Sequence, residues 1–191
     1  MENNPFNGGE APDWSKIPAP VDDGAAAHLP GLTLPSVPLA ATDGTTVDLS
    51  ALEGRTVVYI YPRTGQPGVA LPDGWDAIPG ARGCTPQSCA FRDHHAELMG
   101  LGVQHLFGLS TQTTAYQAEA ADRMHLPFPL LSDADLALGD ALSLPRFEAA
   151  GETLLKRMTL ILDAGVIRHA FYPVFPPDRN AEAVIDWLTG T

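Results

Sequence analysis

The run Thr56-Val57-Val58-Tyr59-Ile60-Tyr61 constrains the fold more than any other stretch. It is β-branched, aromatic and nearly all apolar, and Pro62 ends it. A strand without polar alternation has no solvent side, so it belongs in a sheet covered on both faces. Val103 to Leu109 reads as a second central strand, and Phe128 to Leu131 as a short third. A helix capped by Ser110 or Thr111 and running to about Met124 lies between those two, with Tyr116, Ala120 and Met124 on one side. Thr153 to Leu162 and Val166 to Phe171 form a hairpin through Asp163-Ala164-Gly165. Pro176 to Asn180 then break the chain and cap a last helix through Leu188, with Val184, Ile185 and Leu188 inside. Strands alternating with helices predict a three-layer α/β domain with a central mixed β-sheet flanked by helices.

Ahead of this body, residues 1–30 are rich in Pro, Gly, Ala and Asp. They read as an extended or disordered tail, with Trp14 and Ile17 able to dock, because few large apolar groups offset the entropy of ordering. The folded domain is therefore taken as 31–191. Thr42-Asp43-Gly44 turns a short hairpin, and Ser50 to Gly54 make one helical turn. Asp133 to Ala141 is a short helix. Residues 65–83 hold five glycines and three prolines, a long loop for a compact domain.

The chain has 191 residues, 45% of them hydrophobic, enough for one core. Asp and Glu number 23 against 11 Lys and Arg, a net charge of −12. Such a surface repels phosphate backbones and anionic lipid, so neither nucleic acid nor a membrane is an expected partner. No apolar run approaches the roughly 20 residues of a membrane span. Met1-Glu2-Asn3-Asn4 lacks the marks of a signal peptide, which points to a cytoplasmic setting. The composition leaves open a monomer or a homodimer.

Both cysteines lie in Gly83-Cys84-Thr85-Pro86-Gln87-Ser88-Cys89-Ala90-Phe91-Arg92-Asp93. This reads as a helix start, with Thr85 as N-cap and Pro86 in the first turn. The helix is expected to run to about Met99, burying Phe91, Leu98 and Leu101, and to stop at Gly100 and Gly102. Cys84 then sits among unpaired N–H groups at the positive end of the helix dipole, which favours thiolate. Cys89 is five residues on, about 7.5 Å along the axis and about 500° around it. Disulfide Cα atoms are usually about 4.4–6.8 Å apart, so the sulfurs join only if the first turns unwind. Two readings stand at this point: a thiol switch of one reactive and one waiting cysteine, or two ordinary helical cysteines.

The segment Gly-Cys-Thr-x-x-x-Cys-x-Phe-Arg-Asp resembles the active-site segment of peroxiredoxins, specifically the peroxiredoxin Q (bacterioferritin-comigratory-protein) group. The likeness spans roughly residues 32–189. Tyr61-Pro62, Gly108-Leu109-Ser110-Thr111, Pro129-Leu130-Leu131-Ser132-Asp133 and Arg157-Met158-Thr159-Leu160-Ile161-Leu162-Asp163 match that group's motifs in order. The resemblance implies a thioredoxin-like fold and a thiol-dependent peroxidase acting on hydrogen peroxide and organic hydroperoxides. Cys84 would be the peroxidatic cysteine and form a sulfenic acid. Cys89, the only other thiol, would resolve it as an intramolecular disulfide. A thioredoxin- or glutaredoxin-like dithiol would reduce that disulfide. Arg157 would stabilise thiolate and substrate. No cofactor and no metal are expected: His94 and His95 point about 100° apart on a helix, and the other histidines lack ligand spacing. Asp133-Ala-Asp135 lacks the pattern of a calcium loop.

One departure stands out. The family pattern Pro-x-x-x-Thr-x-x-Cys places a pocket-forming Pro and Thr just before the nucleophile, and here the residue three before Cys84 is Ala81. Pro62 lies 22 residues before Cys84 instead of 7, an insertion of about 15. Thr64 is the favoured stand-in for the pocket Thr, with Thr85 as substitute and a missing contact as the third alternative. Within the insertion, Trp75 either caps the pocket, docks a partner, or anchors the loop. Two other functions suit the same fold. A general thiol–disulfide oxidoreductase usually carries Cys-x-x-Cys. A copper-delivery protein uses Cys-x-x-x-Cys with a distant His, one residue shorter than the spacing here.

Overall fold

A computed structural model describes residues 12–190. Seven strands form one mixed sheet: β1 (Pro38–Ala41), β2 (Thr46–Asp48), β3 (Arg55–Ile60), β4 (Val103–Ser110), β5 (Leu130–Ser132), β8 (Met158–Asp163) and β9 (Val166–Phe171). Their order is β2-β1-β5-β4-β3-β8-β9, with β3, β4 and β5 parallel and the rest antiparallel to their neighbours. The remaining strands, β6 (Arg146–Ala149) and β7 (Glu152–Leu155), pair with each other in a separate hairpin. Among the described residues five α-helices complete the fold: α1 (Cys84–Asp93), α2 (His95–Gly100), α3 (Thr114–Met124), α4 (Ala137–Ala141) and α5 (Asn180–Thr189).

β3 is the centre that its sequence demanded. Thr56 to Ile60 are all buried. Val58 and Ile60 face one apolar cluster with Leu109, Leu131 and Leu160, while Val57 and Tyr59 face another with Phe91, Leu98 and Val184. The period-two alternation of a strand thus feeds two cores at once, one under α1, α2 and α5 and one under α4 and residues 26–34.

Several expectations need correction, among them the cap of α3, which is Thr113 and not Ser110 or Thr111. Another concerns the tail. Residues 1–11 of the expected tail lie outside the described residues, but residues 12–30 strap the body: Leu29 and Ala26 are buried in the core. His28 Nε2 meets the Leu142 carbonyl at 2.8 Å, and Asp23 accepts from Tyr172 Oη at 2.7 Å. Two well-placed apolar side chains offset ordering that average composition argued against. Next, the helix from Cys84 does not run straight to Met99. It breaks at His94 (φ −95°, ψ 7°), and the second segment seats Leu98 beside Val103 and Leu106. Finally, residues 153–162 are not one strand. Lys156 and Arg157 leave the ladder, so β7 joins β6 and β8 joins the main sheet.

Candidate active site

The chain leaves β3 at its C-terminal end, makes the long loop, and enters α1 at Cys84. Gly83, not Thr85, is the N-cap, in a left-handed conformation at φ 107°. A Cβ there would lie 2.3 Å from Pro177 and 2.8 Å from Trp14, so the turn into the helix accepts only glycine. Cys84 is thus the first helical residue and is 3% exposed. Tyr59, stacked on Phe91 at 4.6 Å with its hydroxyl donating to Ser88 Oγ at 3.0 Å, holds the helix on the sheet. Burial keeps that phenol protonated, its pKa well above the usual tyrosine value.

Arg157 reaches Cys84 because of strand pairing. β8 runs antiparallel to β3 with Met158 opposite Ile60, so the residue before β8 lies where β3 ends. The Arg157 Nη2 group is 3.2 Å from Cys84 Sγ. It also donates to the carbonyls of Ala81 and Arg82, both at 3.1 Å, and of Gly80 at 3.3 Å. Nη1 donates to Gln87 Oε1 in a short contact. Gln87 Nε2 in turn donates to Asn180 Oδ1 at 2.9 Å, which also accepts from Thr159 Oγ1 at 2.6 Å. Arg157, Gln87, Thr159 and Asn180 are all buried. A guanidinium only donates, so the Gln87 carbonyl must face it, and that fixes the orientation of the whole row.

Cys89 is half-buried and lines the same cleft of about 750 Å³ as Cys84 and Thr85. Both sulfurs are free. Burial pushes the Cys89 thiol pKa up, opposed by the nearby Arg92 cation. Thr64 is elsewhere. Its backbone N–H and hydroxyl both point to Gln112 Oε1, at 3.0 and 3.2 Å, and its carbonyl accepts from Tyr116 Oη at 3.2 Å. Neither Thr64 nor the buried Pro62 lines the cleft that holds the sulfurs, whereas Thr85 does.

Trp75 is 4% exposed, packed with Ala81 and Leu154 and 6.2 Å from the Phe147 ring. It anchors the inserted loop on the β6–β7 hairpin. The loop's exposed large apolar residues are Val69 and Leu71. Sequence reasoning missed Gln87 and Asn180. Gln87, three residues past Cys84, shares its helix face, a spacing that could have raised it. Asn180 follows a chain break and carries no such signal. Among the described residues no group of three or more His, Cys, Asp or Glu is disposed to hold a metal ion, and no helix is long and apolar enough to cross a membrane.

The Redoxin family model matches residues 10–185. The chloroplastic peroxiredoxin Q of Oryza sativa subsp. japonica is 32% identical over 152 residues, covering 78% of this chain and 62% of the rice protein. This chain therefore spans less than two thirds of that relative's length. Peroxiredoxin Bcp of Escherichia coli (strain K12) is 31% identical over 159 residues, covering 81% of this chain and 91% of that protein. The crystal structure of peroxidoxin BcpB from Mycobacterium tuberculosis superposes with a TM-score of 0.68 at 24% identity, over 85% of this chain and 98% of that one, a likeness of fold.

Proposed function

The chain belongs to the redoxin family, beside peroxiredoxin Q and Bcp, and from that premise we propose that it is a thiol-dependent peroxidase with Cys84 as its nucleophile. The observation that carries the reading is the Arg157 guanidinium 3.2 Å from Cys84 Sγ at the first residue of a helix. A fixed cation and a helix N-terminus both favour thiolate, and the same cation can hold a peroxide oxygen. The thiolate attacks the terminal oxygen of the hydroperoxide and the O–O bond breaks. The leaving alkoxide or hydroxide takes a proton, and the sulfur, oxidised by two electrons, becomes a sulfenic acid.

Cys89 is the resolving thiol. Its sulfur attacks the Cys84 sulfenic sulfur, water leaves, and a disulfide forms after the first turns of α1 unwind. A thioredoxin- or glutaredoxin-like dithiol returns two electrons and two protons. That cycle suits the reducing cytoplasm. Thr85, which lines the cleft, serves as the pocket hydroxyl, since the Thr64 hydroxyl is engaged with Gln112.

Stopped-flow mixing of the reduced protein with hydrogen peroxide tests the assignment. Rapid loss of one thiol, followed by loss of the second, is expected. Cys84→Ser should abolish both steps, and Cys89→Ser should keep the first and lose the second. Slow oxidation of the native protein alongside fast disulfide exchange would instead mark a general thiol–disulfide oxidoreductase.

A further inference from the structure

The strap crosses the start of α1. Trp14 opens a short 3₁₀ turn, Trp14–Lys16, capped by the Asp13 carboxylate. Its ring lies on Gly83, so close that a Cβ on that glycine would come 2.8 Å from it, and it meets the Phe175 ring edge-on at 5.9 Å. The buried indole N–H has no hydrogen-bond partner among the described residues, so packing alone holds the ring. Further on, Pro20 lies against Gly80, 3.4 Å from where a Cβ would stand. Asp23 closes the far end, with Lys156 Nζ at 2.9 Å and Tyr172 Oη at 2.7 Å. The strap thus covers the glycine that caps α1 and the loop whose carbonyls orient Arg157. Among the described residues no main-chain hydrogen bond ties residues 14–23 to the body; the first from the strap runs from Gly31 N–H to the Ile167 carbonyl at 2.7 Å. A segment held by side chains alone can open while the core stays folded.

We propose that Trp14 is a positioning residue for the resolving step: docked on Gly83, it holds the first turn of α1 folded and delays attack by Cys89, and disulfide formation undocks it. The proposal rests on Cys84 and Cys89 as the reacting pair. Their sulfurs meet only when the first turns of α1 unwind. Unwinding changes the backbone angles at Gly83 and Cys84, and Gly83 is wedged between Pro177 on the body and Trp14 on the strap. The strap is the side without main-chain bonds, so it is the side that yields. Whatever a docked strap adds to the folded helix it withholds from the disulfide form, and the disulfide weakens docking by the same factor. Delay has a chemical consequence. A sulfenic sulfur that waits can attack a second hydroperoxide: the O–O bond breaks, one oxygen joins the sulfur, and the leaving hydroxide or alkoxide takes a proton. The sulfur, oxidised by two more electrons, becomes a sulfinic acid.

Stopped-flow mixing of the reduced full chain with hydrogen peroxide separates the two thiol losses. Trp14→Ala should leave the first phase unchanged and speed the second by about tenfold, a modest share of what truncating a packed aromatic releases. Trp14→Phe keeps an apolar ring and should return the second phase close to the native rate. At high peroxide, intact-mass measurement should find less sulfinic Cys84 in Trp14→Ala than in the native protein. Fluorescence reads the reverse coupling. The native spectrum minus that of Trp14→Phe isolates Trp14 from Trp75 and Trp187, and this difference should shift to the red when the disulfide forms and return on reduction. Asp23→Asn frees the other end of the strap and offers a second route should Trp14→Ala fold poorly. A second phase that none of these variants changes overturns the proposal, as does a Trp14 signal identical in the dithiol and disulfide forms. Equal changes in both phases would mark general loss of structure and overturn it too. A protein that consumes no hydroperoxide overturns the peroxidase reading instead. Diamide, which takes two electrons and two protons from a thiol pair, then forms the disulfide, and the same comparison of rates and emission decides the role of Trp14.

Discussion

Cys84 and Cys89 share one helix and one cleft, yet their surroundings differ in kind. Cys84 sits 3.2 Å from a buried arginine whose Nη groups otherwise donate to backbone carbonyls and Gln87, while its buried Nε–H has no hydrogen-bond partner among the described residues. Cys89 has no such cation in contact; burial dominates, and it holds the proton on. The contrast shows how one helix separates two identical thiols by chemistry. The N-terminal residue receives the cation that the sheet delivers, and the residue one and a half turns later receives only desolvation.

Removing the cation should erode this contrast most. Arg157→Gln is expected to slow the reaction of Cys84 with peroxide by roughly 10²–10³-fold, the range for losing one preorganised electrostatic partner. It also strips donors from the carbonyls of Gly80, Ala81 and Arg82, so the melting temperature should fall. Arg157→Lys separates the two effects. It keeps a charge but not the fork, so stopped-flow rates should recover in part while thermal unfolding stays low. If Arg157→Gln reacts at the native rate, the distinction between the two cysteines does not arise from Arg157.

A smaller effect is expected one bond further out. Gln87 bridges Arg157 to Asn180, and Gln87→Ala leaves both with one partner fewer inside the protein. A buried unsatisfied group costs about 1–3 kcal/mol, and a guanidinium free to swing should slow Cys84 by about tenfold. Alkylation of Cys89 should hardly change, since Gln87 faces away from it on the helix. Equal slowing at both sulfurs would mean that the helix, not the arginine, had been disturbed.

These partners divide sharply in how legible they were. β3 declared itself through unbroken apolarity, and the helix start at Cys84 through Gly83 and Pro86, because both are local rules. Arg157 could be named only through a motif match; its own neighbours describe a strand, and the jog at Lys156-Arg157 depends on where Gly80, Ala81 and Arg82 lie. Asn180 was invisible, since its role is set by a contact 93 residues away. The strap over residues 12–30 is hidden from composition for a related reason. Composition averages a segment, whereas Leu29 and Ala26 act singly by filling one place in a core built from distant strands. Thr64 shows the same limit: a hydroxyl near the right Pro-containing turn was drawn instead to Gln112, on a loop after β4.

The subtlest test addresses Cys89 itself, in a Cys84→Ser background where one thiol remains. Alkylation by iodoacetamide follows the thiolate fraction, so its rate against pH traces the titration. Burial disfavours the charged form, so the folded protein should hold the proton to higher pH than the unfolded chain does. The folded profile should therefore reach its half-maximal rate at higher pH than the same protein in urea, when each is scaled to its own plateau. Scaling removes simple differences in access and leaves only the midpoint. Arg92→Gln should move the folded midpoint further up, because Arg92, more than Arg123, is the cation that opposes burial. A folded midpoint at or below the unfolded one would mean that burial does not hold the proton on Cys89. Desolvation would then give no ground for assigning attack to one thiol and resolution to the other.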